Sequence, residues 1–382
     1  MSIFGRKKER RLGVGVDVGS HLIKTIVYET SGNPLAPAVL KKIIVPIPRT
    51  FNSLRVVEKL RGHLFAITKE FGRVPERTII GFGPSIAESS IVFWETPLVL
   101  PVYTITRREA RSFFDTGVEQ ERDRARSGVF AYPLEMYCNG YPVDSNFFEQ
   151  KKQSVMIRET GFSAVISYFF DDAGKALFDM KEMLEGMAVE FVPLGVALAE
   201  AIVRTLGAND VFLVDIGGKY TQLLFVAGGV LKQIAAFPVG TDHFTNEIAR
   251  MLRVSFDEAG DIMRQLIGEG VGHPKEKDLR ICMKNKGVAW KEKFIETLNW
   301  FSPIGPLPER VVVFGGGAYI PKIDDLLKSS DWIKDFSFAP APKVEFLEGK
   351  RLWSWPMQEG APTGYEEAGL GALISYAFFH TK

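Results

Sequence analysis

The sequence predicts an α/β protein built from two related lobes that face a shared cleft, and three stretches carry that expectation. Residues 211–229, Val-Phe-Leu-Val-Asp-Ile-Gly-Gly-Lys-Tyr-Thr-Gln-Leu-Leu-Phe-Val-Ala-Gly-Gly, run apolar residues into Asp215, a Gly-Gly pair and a second apolar run. A run bounded by glycines reads as a buried strand, a tight turn and a returning strand. The carboxylate then sits at a strand end, where glycines let a ligand approach the backbone. Successive amides in such a turn form an anion-binding concavity, and an acid beside them suits a magnesium–phosphate pair. Standing alone, the stretch reads equally well as an ordinary Asp-Gly hairpin. Residues 12–28, Leu-Gly-Val-Gly-Val-Asp-Val-Gly-Ser-His-Leu-Ile-Lys-Thr-Ile-Val-Tyr, repeat the grammar with Asp17 in the role of Asp215. Copies this far apart indicate a duplicated lobe rather than a solenoid or propeller repeat. Residues 311–327 read as a strand, a triple-glycine turn and a helix, which brings a helix N-terminus to the ligand.

Composition narrows the function. A chain of 382 residues holds two domains or more. A formal charge of +1 gives no global electrostatic case for nucleic acid or a membrane surface. Cys138 and Cys282 are too few for a disulfide framework and fit a reducing cytosol. The five histidines are scattered, and none pairs with a cysteine at metal-ligand spacing. No apolar run reaches the ~18 residues of a membrane span, and no signal peptide opens the sequence. The basic start at residues 6–11 reads as a solvated terminus rather than a lipid contact.

In chain order, residues 38–48 form a strand closed by prolines. Residues 53–71 place Leu54, Val57, Leu60, Leu64, Ile67 and Phe71 at helical steps, and residues 78–83 return as a buried strand. Residues 98–182 change character. A helix opens with Thr106 and Glu109 as a capping box. Strands at 130–139 and 153–161 flank a turn at Asn139-Gly140, with a further strand at 161–170 and a helix at 173–185. This is an inserted α+β unit of small-domain size. An apolar helix at 195–206 joins the lobes. A helical stretch runs from 240 to about 301, with Ser255 and Glu258 as cap partners and a loop in the 270s. Residues 303–308 link back, and an apolar helix at 366–379 closes the chain. The expected division is a first lobe of 10–97, completed by 185–206 and 364–380. The second lobe takes 207–240 and 304–363, with a helical subdomain at 241–303. Trp353 and Trp355 read as loop packing rather than a stacking platform, and Cys138 as a small core residue.

Two Asp-Gly turns, a connecting helix, a Gly-Gly-Gly-Ala loop and a closing small-residue helix together resemble the actin-like ATPase superfamily, over nearly the whole chain. The implied fold is two-lobed, actin-like (ribonuclease H-like), with the α+β domain inserted in the first lobe. Within the superfamily the chain is most similar to the FtsA and PilM types, on residues 213–217, 237–250 and 17–24. The resemblance implies ATP and Mg²⁺ as cofactors, with Asp17 and Asp215 holding the metal through water. It places Gly19, Ser20, His21 and Lys24 on one side of the phosphates and Gly217, Gly218 and Thr221 on the other. Glu247 and Arg250 would face the ribose and base, over Gly315, Gly316, Gly317 and Ala318. Lys219 either neutralises phosphate charge or points outward with Tyr220 and narrows the pocket.

Within the resemblance a PilM-like role is the expectation, because FtsA carries an amphipathic helix after a flexible tail and this sequence stops three residues past its closing helix. The implied partner is the N-terminal cytoplasmic peptide of a bitopic inner-membrane protein, with self-association or filaments as a further possibility. That role makes the protein cytoplasmic and peripheral to the inner membrane. Hydrolysing members place a Glu or Gln near the start of the connecting helix to orient water. Here that neighbourhood is Phe191-Val-Pro-Leu-Gly195, so at most weak ATPase activity is expected. The alternatives are a polymerising FtsA-like division protein, a small-molecule kinase and a scaffold that has lost nucleotide. The kinase lacks a carboxylate base in the expected neighbourhood, and intact Asp17 and Asp215 weigh against the scaffold.

Overall fold

A computed structural model describes residues 10–31, 36–95, 103–125, 128–143, 154–184, 186–266, 276–301, 305–320, 322–338 and 340–380. The basic residues 6–9, most of the loop in the 270s and residues 302–304 lie outside the described residues. The first lobe opens with β1 (Arg10–Val18), β2 (Leu22–Ser31), β3 (Ala38–Pro46), α1 (Ser53–Phe71) and β4 (Arg77–Phe82). Central in its sheet and covered on both faces, β1 is buried from Leu12 through Val18, with Val14, Val16 and Val18 completely or nearly so. Helix α1 starts where the Asn52 side chain accepts the Arg55 amide and ends on left-handed Gly72.

The inserted unit follows as β5 (Ala87–Glu95), β6 (Tyr103–Thr106), α2 (Arg107–Arg124), β7 (Val129–Cys138), β8 (Tyr141–Val143), β9 (Ser154–Ile157) and β10 (Thr160–Phe169). Its main sheet has the order β5-β10-β7-β8, and the Thr106–Glu109 capping box opens α2. Asn139 and Gly140, both at positive φ, make the β7–β8 turn. The unit's ends differ from the 98–182 expectation. Strand β5 lies before residue 98 yet pairs along its length with β10. The Phe170 amide donates to the Ile86 carbonyl at 2.9 Å, so the unit enters and leaves the first lobe at one point. Helix α3 (Ala173–Met183) lies inside the expected range but sends Ala173, Leu177 and Met180 into the first-lobe core.

Strand β11 (Val189–Pro193) completes the first sheet, order β11-β4-β1-β2-β3, and α4 (Leu194–Leu206) crosses to the second lobe. There β12 (Val211–Ile216), β13 (Thr221–Ala227) and β14 (Val230–Phe237) precede α5 (Thr241–Leu252), α6 (Phe256–Leu266) and α7 (Glu276–Leu298). Strand β15 (Arg310–Phe314), α8 (Ile323–Lys328), α9 (Ser330–Ile333), β16 (Lys343–Phe346) and α10 (Ala368–Phe379) finish the chain. The second sheet, order β14-β13-β12-β15-β16, repeats the first strand for strand. In both, an antiparallel hairpin carries the acid and the next strand runs parallel to it. Between the sheets α4 packs on α10, and an apolar cluster continues from Ile79 of β4 through both helices to Leu213 and Val312 of the second sheet. On one face the inserted sheet carries α2; from the other, Ile91, Tyr132, Leu134 and Val165 pack into that central cluster. Among the described residues no helix is long and apolar enough to cross a membrane.

Candidate functional site

The two hairpins meet across a cavity of about 770 Å³ between the lobes. Each turn closes the same way: the Gly19 amide donates to the Leu22 carbonyl at 3.0 Å, and the Gly217 amide to the Tyr220 carbonyl at 2.9 Å. Antiparallel register sets Asp17 opposite Lys24 and Asp215 opposite Gln222, so each acid has one partner on its own face of the sheet. All four line the cavity.

Lys24 Nζ donates to Asp17 Oδ2 at 2.9 Å and to the Glu366 carbonyl at 2.6 Å. Burial alone would depress this ammonium, but the Asp17 and Asp215 carboxylates outweigh it and hold Lys24 above the ordinary lysine value. Among the described residues Asp215 has no such cation of its own. Desolvation and then the Asp17 charge push it up to about 7, with Lys24 pulling weakly the other way. Among the described residues, three buried polar atoms on the cavity wall have no hydrogen-bond partner: His21 Nδ1, Gln222 Oε1 and Glu366 Oε2. Unpaired buried polar atoms are costly, and their convergence on one cavity marks a place built for a polar ligand.

The sequence-predicted residues divide. Asp17, Gly19, Ser20, His21, Lys24, Asp215, Gly217, Gly218, Gly315 and Gly316 line the cavity. Thr221 does not. Its fully buried hydroxyl donates to the Val239 carbonyl and accepts from Trp290 Nε1, on the opposite face of β13 from Gln222. Lys219 and Tyr220 line a smaller cavity of about 260 Å³ beside α1, and of the two only Tyr220 also faces the main cleft. Glu247 and Arg250 pair with each other and Glu247 with Lys286, on the face of α5 away from the cleft. Helix phase explains this, because α5 turns Thr241, Asp242 and Thr245 inward. Gly317 lies against Ile216, where a Cβ would sit 2.0 Å from Cγ2, and it and Ala318 stay outside the cavity.

The expected helix after the glycines is also different. Residues 316–319 form a 3-10 turn, and α8 begins only at Ile323 after left-handed Lys322. Among the described residues α8 contributes nothing to the cavity wall; the turn presents Gly315, Gly316 and Tyr319 instead. Sequence reasoning missed Arg49, Asp242, Phe256, Met263, Arg264, Tyr319 and Glu366, all cavity-lining. The start of α4 brings no polar side chain, as expected. Glu190 is held by Arg77 and Tyr376, and Glu200 by His380. The structure does place Gln222 there, its Oε1 lying 3.5 Å from a Cβ built on Gly195.

Two lobes of repeated topology around a cleft, each contributing an acid and a glycine turn, define the actin-like ATPase fold. The α+β domain is inserted in the first lobe, between β4 and β11. Residues 212–353 match the family model of the cell division protein FtsA. The solved PilM-PilN type IV pilus biogenesis complex contains a chain superposing with a TM-score of 0.64 at 15% identity, covering 95% of this chain and 97% of that one. The ethanolamine utilization protein EutJ from Carboxydothermus hydrogenoformans gives 0.47 at 14% identity, covering 97% and 91%. MreB5 of Spiroplasma citri bound to ADP gives 0.48 at 12% identity, covering 97% and 99%. No curated protein matches by sequence.

Proposed function

We propose that the chain is a nucleotide-binding assembly protein. It holds ATP and Mg²⁺ in the interlobe cleft and uses the lobe arrangement to govern docking of a short cytoplasmic peptide from a membrane-anchored partner. The observation that carries the nucleotide reading is the convergence of two carboxylates, two glycine turns and three unpaired polar atoms on one cavity. The donor set fits the group: Asp17 and Asp215 supply the hard oxygens that Mg²⁺ takes, here through water, and the turn amides of Ser20, His21 and Gly218, which the turn-closing bonds of Gly19 and Gly217 leave over, supply phosphate donors. Magnesium, when bound, neutralises phosphate charge. Lys24 adds a cation from the first lobe. The base side is formed by Gly260, Met263 and Arg264 of α6 against Gly316 and Tyr319. The assembly role is supported by the likeness to the chain of the PilM–PilN complex, and the match to FtsA supports a second reading, self-association at the membrane as a division protein.

Hydrolysis is slow in this reading. Gln222 brings its side-chain Oε1, without a partner among the described residues, to the start of α4, and an amide of this kind can both accept from and donate to a water. Titrating the protein with ATP and Mg²⁺, followed by overnight product analysis, tests the reading. Tight binding with little ADP formed supports it, and no binding removes it.

A further inference from the structure

Across the cleft mouth, two first-lobe side chains converge on one second-lobe carboxylate. His21 Nε2, from the first glycine turn, lies 2.7 Å from Asp242 Oδ1 at the start of α5. Arg49, from the segment after β3, reaches the same Oδ1 at 3.2 Å. Its guanidinium also covers the ring of Phe256, the first residue of α6, and feels the nearby Asp257 charge. Asp242 and His21 are only 19% and 24% exposed, so water weakens the contact less than at an open surface. The His21 ring packs on Gly218, where a Cβ would stand 2.4 Å from Cδ2. Behind that turn the Thr241 and Asp242 amides donate to the Gly217 and Gly218 carbonyls, so the second turn and the start of α5 move as one piece.

We propose that His21, Arg49 and Asp242 form a latch that holds the lobes shut over the phosphate turns and sets the rate at which nucleotide enters and leaves. The proposal rests on the cleft being a nucleotide site. The latch joins the two lobes directly at the cavity rim, while the connecting segments lie behind, at α4 and α10. Parting His21 and Arg49 from Asp242 frees the first glycine turn from the start of α5 at the cleft. On the same ring, His21 Nδ1 is buried without a partner among the described residues, so the histidine that holds Asp242 also has a ring nitrogen unsatisfied at the cavity wall.

The test uses the full chain and its Asp242→Asn, Arg49→Gln and double variants. Stopped-flow with a fluorescent ATP analogue and Mg²⁺ should show association and dissociation both faster by tenfold or more in Asp242→Asn. Loss of a negative charge beside the phosphates would, without a latch, slow dissociation instead. Arg49→Gln should also speed both steps, although it removes a cation, and the double variant should be no faster than the faster single one. Hydrogen exchange on the empty proteins provides a readout that needs no nucleotide. The amides of residues 18–22 and 217–221 should exchange at least tenfold faster in Asp242→Asn, with the strand cores unchanged. Unaltered or slower dissociation together with unaltered exchange overturns the latch. If the wild-type chain binds no nucleotide, the nucleotide reading falls, and the exchange experiment alone decides whether the contact holds the lobes closed.

Discussion

Asp215 is the residue where function and stability pull against each other. Its native pKa stands at about 7, above the ordinary 3.8, so over that interval the native state keeps a proton that the unfolded state releases. Stability from this group therefore falls as pH rises through the interval, and the full cost is present above pH 7. Asp215→Asn should raise the Tm of the empty protein at pH 8 by roughly 2 °C or more. The gain should shrink at pH 5, while Mg²⁺-dependent ATP affinity falls tenfold, about 1.4 kcal/mol. Calorimetry at the two pH values and a binding titration check both halves; an equal gain at both pH values would show that the acid is not strained by ionisation. Gln222 predicts a different split. Gln222→Leu should slow single-turnover hydrolysis at least tenfold and change ATP affinity by less than threefold, because its amide faces the start of α4 rather than the turn amides.

The elements themselves show what was legible in the sequence and what was not. The hairpins carrying Asp17 and Asp215 were readable because everything that defines them is local: apolar run, acid, glycines, apolar run. The inward face of α5 was not. Assigning Glu247 and Arg250 by position took no account of helix phase, which is fixed by the helix beginning at Thr241. Arg49, Phe256 and Arg264 gave no local signal, because they reach the cleft only through packing of the lobes and of α6 on α5. Strand β5 escaped notice because Ala-Glu-Ser-Ser opens it with polar residues, and only pairing with β10 makes it a strand. The triple glycine reads in the sequence as one ligand loop, yet Gly317 is a packing residue. Gly317→Ala should cost roughly 1–3 kcal/mol in urea unfolding through its contact with Ile216, with much less effect on ATP affinity than a change at Gly218.

For the whole molecule, the meeting of Ile86 and Phe170 defines how the inserted unit can be removed. Replacing residues 88–168 by a short Gly/Ser linker keeps the Ala87 and Phe169 side chains in the first-lobe core. That variant should stay soluble, keep ATP binding and lose peptide capture. Excising 98–182 instead strands β5 and removes Ala173, Leu177 and Met180 from the core, so it should aggregate. Light scattering and a pull-down with a membrane-partner peptide separate the two. The duplicated sheets were legible as two copies of one motif, but the placement of the inserted unit across the back of both lobes was not, since no single stretch encodes it.

Strand β7 touches both halves of the molecule. Tyr132 meets Tyr376 of α10 through their hydroxyls at 3.0 Å, while Glu135 pairs with Lys232 of β14, whose ammonium also reaches the Tyr137 hydroxyl at 3.2 Å. A strip of chain braced on both leaves of a hinge behaves as a doorstop. A swing of the leaves would have to tilt the strip or break one of these contacts. The inserted unit is therefore a pointer on the hinge, and a protein gripping that pointer would feel the angle of the door without ever touching what lies inside it.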